Sequence, residues 1–302
     1  MNGSPGPVVG RRVRVAVVGS LNHDLTVWVP HRPGPDETLH GDRVEEFRGG
    51  KGANQAVAAA RIGAEVAMIG CLGNDARAAF LREGLIADGI DHSHVTTVSS
   101  PTGVAVITVD PIDVSIVVVA GANGELGTSA VESASTVIES ADVLLLQGES
   151  PAPAALAAAR IASAAGTLVV FNPAPFNEVA AAVAPLADVL MVNRHEAALL
   201  AEGVGQIDSP VLVTTLGAQG CVVEAEGLRT EVPSLAADVV DPTGAGDCFA
   251  AAFAVRYAET HDAVESAQFA VAAGSLAVET SGAQPSLPTR AAVEERRSAS
   301  AD

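Results

Sequence analysis

The sequence predicts an α/β fold: a three-layer α/β/α core around a mostly parallel, doubly wound sheet, with a small separate β-sheet as a lid. Three observations predict it. Short aliphatic runs alternate with Ala-rich helical stretches along much of the 302 residues, the rhythm that βαβ crossovers impose. Hydrophobic residues make up 48% of the chain but aromatics only 3%, so the core is built from Ala, Val, Leu and Ile, as a buried parallel sheet under small-residue helices requires. Two segments break the rhythm with the alternation of a second, smaller sheet.

In chain order, Val13 to Val18 is the first aliphatic run and ends at Gly19, which reads as a buried strand opening the sheet. Runs of the same kind recur at Val66 to Ile69, Val143 to Leu146, Leu168 to Phe171, Val189 to Val192 and Val211 to Thr214. Helical stretches lie at Ala53 to Ile62, Ala76 to Ala87 and Ala152 to Ala165, followed by Gly63, Gly89 and Gly166, where left-handed C-terminal caps are expected. The breaks in rhythm are Leu25 to Phe47, with charges and prolines, and Gly103 to Val119, two β-type runs around Asp110-Pro111-Ile112-Asp113. The expected division is a core of about 10–20, 49–101 and 122–295, and a lid of about 21–48 and 102–121, set over the sheet edge where open α/β folds bind ligands. After Val240 the pattern turns helical, and the tail from Arg296 to Asp302 is expected to fray.

A formal charge of −19 sets nucleic acid and anionic membranes aside as partners, since both would meet long-range repulsion. Phosphate ligands remain open, because backbone amides at helix N-termini bind anions without basic side chains. Cys71, Cys221 and Cys248 are too few and too scattered for a disulfide framework or a zinc site. With no apolar run of signal-peptide or membrane-spanning length, the expectation is a cytoplasmic protein.

The strongest motif is Asp241-Pro-Thr-Gly-Ala-Gly-Asp247-Cys-Phe, followed by the helix-prone run Ala250 to Glu259. Gly244, Ala245 and Gly246 bring backbone amides to a helix start, a cradle for a transferring phosphoryl group, and Asp247 stands beside it as acceptor of a hydroxyl proton. An acidic residue at a helix start also complements the helix dipole, so the motif alone leaves both readings open. A second helix opens at Gly49-Gly-Lys-Gly-Ala-Asn-Gln-Ala56, and Lys51 is the sole lysine of the chain, a compact donor between glycines. That segment is not a Walker A loop, and Gly19-Ser-Leu-Asn-His-Asp24 after the first strand is not GxGxxG.

Together the two glycine segments resemble the paired signatures of ribokinase-like carbohydrate kinases. The resemblance extends through Gly19 to Asp24, Thr102-Gly103, Gly121 to Asn123, Asn172 to Pro175, Asn193-x-x-Glu196, Thr215-Leu-Gly217 and Gly282 to Ser286. It implies ATP-dependent phosphorylation of a small sugar, with O5 of D-ribose as leading acceptor and deoxyribose, a ketohexose or a nucleoside as alternatives. It further implies that Asn22, Asp24, Gly50, Lys51, Asn54 and Glu149 hold the sugar, with Asp247 on its reacting hydroxyl. ATP would fall on Asn193, on Thr215, Leu216, Gly217, Ala218, Gln219 and Gly220, and on Gly246. Mg²⁺ would stand near Glu196 through water, and K⁺ on Asp241, Thr243, Ala277, Thr280, Gly282 and Ser286. A homodimer through the lid is expected on the same basis. The sequence departs from the family at Val271, on the adenine side, and at Ile112-Asp113-Val114, in the lid. A third reading, a sugar sensor that keeps the fold without turnover, is disfavoured by the presence of both Asp247 and its glycine cradle.

Overall fold

The computed structural model describes residues 7–8, 10–112, 114–203 and 209–299. Among the described residues, thirteen strands form two sheets. In chain order the elements are β1 (Arg14–Val18), β2 (Asn22–Trp28), β3 (Arg43–Gly49), α1 (Lys51–Arg61), β4 (Glu65–Leu72), α2 (Ala76–Ala87), β5 (Asp91–Thr97), β6 (Gly103–Val109) and β7 (Val114–Val119). Then come α3 (Thr128–Ser133), α4 (Ser135–Ser140), β8 (Val143–Gln147), α5 (Ala152–Ala165), β9 (Leu168–Asn172), α6 (Glu178–Val183), β10 (Val189–Asn193), α7 (Arg194–Gly203) and β11 (Val211–Thr215). The chain closes with β12 (Cys221–Ala225), β13 (Leu228–Val232), α8 (Ala245–Thr260), α9 (Ala263–Ala277) and α10 (Arg290–Ala299).

The nine-stranded sheet runs β13-β12-β11-β10-β9-β8-β1-β4-β5, parallel from β11 to β5 and antiparallel at the β12 and β13 edge. Strand alternation divides the core in two. On β1, Val15 and Val17 face one helical layer while Ala16 and Val18 face the other. The first layer holds α1, α2, α8 and α9, with Phe253 and Phe269 fully buried; the second holds α3, α4, α5, α6 and α7. Alanine on α1, α5, α8 and α9 lets these helices lie close to the sheet, which is why so few aromatics are needed.

The small sheet, β3-β2-β6-β7, leaves the core directly after β1 and again after β5. Asn22 pairs with Gly49 on one side and Gly103 on the other, so the three strands are in register at the edge where they meet the core. Asn123 secures that junction. Its Oδ1 accepts from Leu21 N (2.9 Å) and its Nδ2 donates to Leu21 O (3.2 Å) and Asn22 Oδ1 (2.8 Å).

The expected tail fraying does not extend to its first residues. Arg296 forms an ion pair with Glu279, and Arg297 bonds Glu265, so α10 is tied to α9 through Ala299; residues 300–302 lie outside those described. Arg256 and Arg290 converge on Glu259, and with Arg297 they surround Phe269 at 5.7–5.9 Å. No helix among the described residues is long and apolar enough to cross a membrane.

Phe253 stacks between Phe249 and Tyr257 on α8, the helix that carries Asp247 in its first turn. Phe253→Ala is expected to lower unfolding free energy by about 3–5 kcal/mol, read as an earlier midpoint in urea denaturation.

Candidate active site

The site forms where the starts of α1 and α8 meet beneath the small sheet. Gly50 precedes α1 with φ 89°, and a Cβ there would stand 2.7 Å from Asn22 N and 2.8 Å from Ser20 O; only glycine fits that close approach to the β1–β2 connection. Gly244 precedes α8 with φ 80°, and a Cβ there would stand 3.0 Å from Ala283 Cα and Cβ. Both glycine segments therefore open helices, as the sequence predicts, but their amides are used differently.

At α1 the amides are already filled. Lys51 N donates to Glu149 Oε2 (3.2 Å), Ala53 N to Ser20 O (2.9 Å), and the Ser20 hydroxyl bonds Glu149. At α8, Ala245 N turns back to Pro242 O (3.2 Å) and Cys248 N reaches Gly244 O (2.8 Å). The amides of Gly246 and Asp247 lie between them, in the first turn of the helix where no intrahelical acceptor exists. Gly246 is exposed, with open space where a Cβ would stand. Of the two starts, α8 is the one able to receive an anion.

Asp247 is buried, and both of its oxygens accept side-chain amides from α1: Asn54 Nδ2 to Oδ2 at 3.0 Å and Gln55 Nε2 to Oδ1 at 3.2 Å. Among the described residues, Asn54 Oδ1 is buried without a hydrogen-bond partner and so remains an available acceptor. Asp24, on β2, is also buried, with Oδ1 unpaired among the described residues. Burial, with Glu149 and Asp247 nearby, pushes its carboxyl up to about 7. Lys51 is held as a cation: the charge of Asp247 raises its pKa, burial opposes this, and Glu149 and Glu196 add to the rise.

Lys51 lines a cavity of about 110 Å³ with Asn172, Asn193, Glu196, Thr215 and Gly246, so the sole lysine reaches the side of the site assigned from sequence to the nucleotide. Asn193 and Glu196 cap α7 reciprocally, Glu196 N to Asn193 Oδ1 at 2.8 Å and Asn193 N to Glu196 Oε2 at 2.9 Å. Burial raises the Glu196 carboxyl, opposed by the Asn193 amide and the charge of Lys51. Thr215, Leu216 and the turn Gly217, Ala218, Gln219 and Gly220 follow β11 at the same sheet edge. A second cavity, about 100 Å³, lies under the small sheet between Asp24, Trp28, Phe47 and Val109 on one side and Asp241 and Gly282 on the other.

Asp241 ties two loops behind α8, accepting from Thr243 N (2.9 Å) and Gly282 N (2.8 Å). Ala277 is buried at the end of α9, Thr280 follows it, and the Ser286 hydroxyl bonds Ala283 O (2.8 Å). Of the departures, Val271 is buried inside α9. Ile112 is 94% exposed at the β6–β7 turn, and Asp113 lies outside the described residues.

Sequence reasoning missed Ser20, Gln55 and Gln147. The available signal was the polar pair Asn54-Gln55 at the start of an otherwise Ala- and Val-rich helix, both members of which are buried.

Residues 13–290 match the family model described as pfkB family carbohydrate kinase. The chain is 36% identical to a ribokinase of Haemophilus influenzae, with 92% of this chain and 96% of that one covered. The structure is similar to a crystal structure of ribokinase from Thermotoga maritima (TM-score 0.85, 32% identity, 94% and 99% covered). It is equally similar to Arabidopsis thaliana ribokinase complexed with ribose and ATP (TM-score 0.85, 29% identity, 95% and 99% covered).

Because the folded pKa of Asp24 lies above its unfolded value, its share of stability is present below about pH 4 and is lost as pH rises through about 7. Asp24→Asn is therefore expected to melt above the wild type at pH 8, by up to about 4 kcal/mol, and level with it near pH 4. Parallel melting curves across that range would discard the buried-charge account of Asp24.

Proposed function

From its membership of the pfkB family of carbohydrate kinases, to which this chain belongs, we propose that it transfers the γ-phosphoryl group of ATP to O5 of D-ribose, giving ribose 5-phosphate and ADP. The observation that carries the reading is the meeting of the two helix starts: a buried carboxylate, Asp247, held by α1 beside free amides of α8 and the cation of Lys51. Any catalyst of phosphoryl transfer to an alcohol needs a base, an anion cradle and a positive charge within one site.

The sugar lies between the small sheet and the core. Asp24 and Asn54 Oδ1 accept from its hydroxyls, with Asn22, Gly50, Lys51 and Glu149 completing its surroundings; both unpaired oxygens are acceptors that a polyhydroxyl ligand supplies with donors. Asp247 takes the proton of the reacting hydroxyl as its oxygen attacks the γ-phosphorus. The bond to the β-phosphate oxygen breaks, and the amides of Gly246 and Asp247, presented by the Gly244-Ala245 turn, stabilise charge on the transferring group together with Lys51. The small sheet acts as a lid that excludes water, so the sugar rather than water accepts the phosphoryl group.

The nucleotide occupies Asn193, the turn from Thr215 to Gly220, and Gly246. Among the described residues, no three or more His, Cys, Asp or Glu side chains cluster as a metal centre. A divalent ion must then be carried mainly by phosphates and water, which suits Mg²⁺ and the single carboxylate of Glu196. Bound there, Mg²⁺ would neutralise phosphate charge. K⁺ would sit on Asp241, Thr243, Ala277, Thr280, Gly282 and Ser286, a position supported by the tie Asp241 makes between both loops behind the cradle.

The outer strand β7 exposes Ile116, Val117, Val118 and Val119, an apolar edge that supports a homodimer through the small sheet. A cytoplasmic setting accords with three free, buried cysteines.

A coupled assay with ATP and Mg²⁺ on D-ribose, 2-deoxyribose, fructose and adenosine, each with and without K⁺, tests the reading. Ribose-selective turnover stimulated by K⁺ is expected; selectivity for another acceptor would discard ribose and keep the chemistry, and binding without turnover would indicate a sensor. Asp247→Ala is expected to lower kcat by about 10²–10⁴-fold with sugar affinity retained, measured by steady-state kinetics and calorimetry.

A further inference from the structure

Behind Asp247 stands a pair of glutamines that the transfer chemistry does not touch. Gln147 ends β8 and is 1% exposed; Gln55 lies in the first half of α1 and is fully buried. Gln147 Nε2 donates to Gln55 Oε1 at 2.7 Å, and Gln55 Nε2 donates to Asp247 Oδ1 at 3.2 Å. We propose that Gln55 is a positioning residue for Asp247, and that Gln147 holds Gln55 in the orientation this requires. The inference rests on the reading of Asp247 as base.

A carboxylate rotates broadly about its terminal torsion, and one donor leaves that rotation open. Donors on both oxygens, Asn54 on one and Gln55 on the other, define the plane of the group. Gln55 has three torsions of its own and an amide that works in only one sense. With its oxygen engaged by Gln147, its nitrogen must face Asp247; the reverse orientation would set oxygen against oxygen at Asp247 and N–H against N–H at Gln147. The chain β8 to α1 to α8 thus transmits orientation from the middle of the sheet to the reacting group. Both amides are neutral, so they orient the carboxylate without a cation that would compete for it with the incoming proton.

Two observations speak against mere core filling. Among the described residues, Gln147 Oε1 has no partner, an unmet buried acceptor that costs stability and that an aliphatic side chain would avoid. Gly19 leaves the space the amide occupies: a Cβ there would lie 2.2 Å from Gln147 Oε1. A polar pair seated at such cost, on helix and strand positions otherwise aliphatic, fits a role in placing Asp247.

The test is steady-state kinetics and melting of Gln55→Met, Gln147→Met and the double variant, beside Asp247→Ala, in the full chain with ATP, Mg²⁺ and the acceptor that turns over. Gln55→Met is expected to lose about 10–100-fold in kcat, with KM for sugar and ATP within about threefold. Gln147→Met is expected to lose less. The double variant removes the amide that Gln55→Met strands on Gln147 but still leaves Asp247 Oδ1 without its donor, so its melting temperature is expected above that of Gln55→Met and below the wild type, while kcat stays low. Recovery of kcat together with stability in the double variant would make the pair structural and overturn the proposal. Near-wild-type kcat in Gln55→Met, with Asp247→Ala inactive, would overturn it while leaving the base in place. Near-normal turnover in Asp247→Ala would instead remove the base reading itself. Should Gln55→Met fail to fold, the double variant decides.

Discussion

Two helix starts must be brought within hydrogen-bond reach of one another, and that single contact, Asn54 and Gln55 on Asp247, is what the rest of the molecule serves. It spans 193 and 192 residues of sequence and joins a helix formed near the beginning of the fold to one formed near its end. The small residues of α1 and α8 allow the approach, and the aliphatic face of the sheet beneath them, with Val17 and Leu145, holds both helices at one height. The carboxylate is buried only because its two oxygens are met; removing the amides would leave a charge in a place that cannot solvate it.

The fold was legible where periodicity is local. Six aliphatic runs read as strands became β1, β4, β8, β9, β10 and β11, and the helices read at Ala76 to Ala87 and Ala152 to Ala165 have those bounds. β5 escaped because Asp91-His-Ser-His-Val-Thr-Thr97 is the outermost strand, mostly unburied, and so lacks an apolar run. The β12–β13 hairpin escaped because its turn is Glu226-Gly227, both at positive φ, where Asn-Gly is the stronger signal.

The candidate site divides in the same way. Asp247, the cradle and Lys51 lie in contiguous motifs, so sequence could name them. Contacts such as Ser20 with Glu149 and Gln147 with Gln55 join residues 129 and 92 apart. No local pattern encodes them; they exist only after the sheet is assembled. The saturation of α1's amides by Glu149 and Ser20 is of this kind, and it distinguishes two glycine-rich helix starts that look alike in one dimension. The same assembly concentrates charge. In a chain of net −19, Asp247, Glu149 and Glu196 all act on the buried ammonium of Lys51, and Asp24 feels Glu149 and Asp247, so that cation eases a repulsion the fold itself creates.

Trp28 carries a consequence of a practical kind. It is the chain's sole tryptophan, it sits at the end of β2 against the cavity beneath the small sheet, and the Arg43 guanidinium lies 3.7 Å above its ring. The strands and helices of the core are therefore dark to selective excitation of indole, and emission comes from the small sheet alone. Nature has left an optical probe at the mouth of the cleft, one whose colour and quenching report the wetness of that mouth without any label attached.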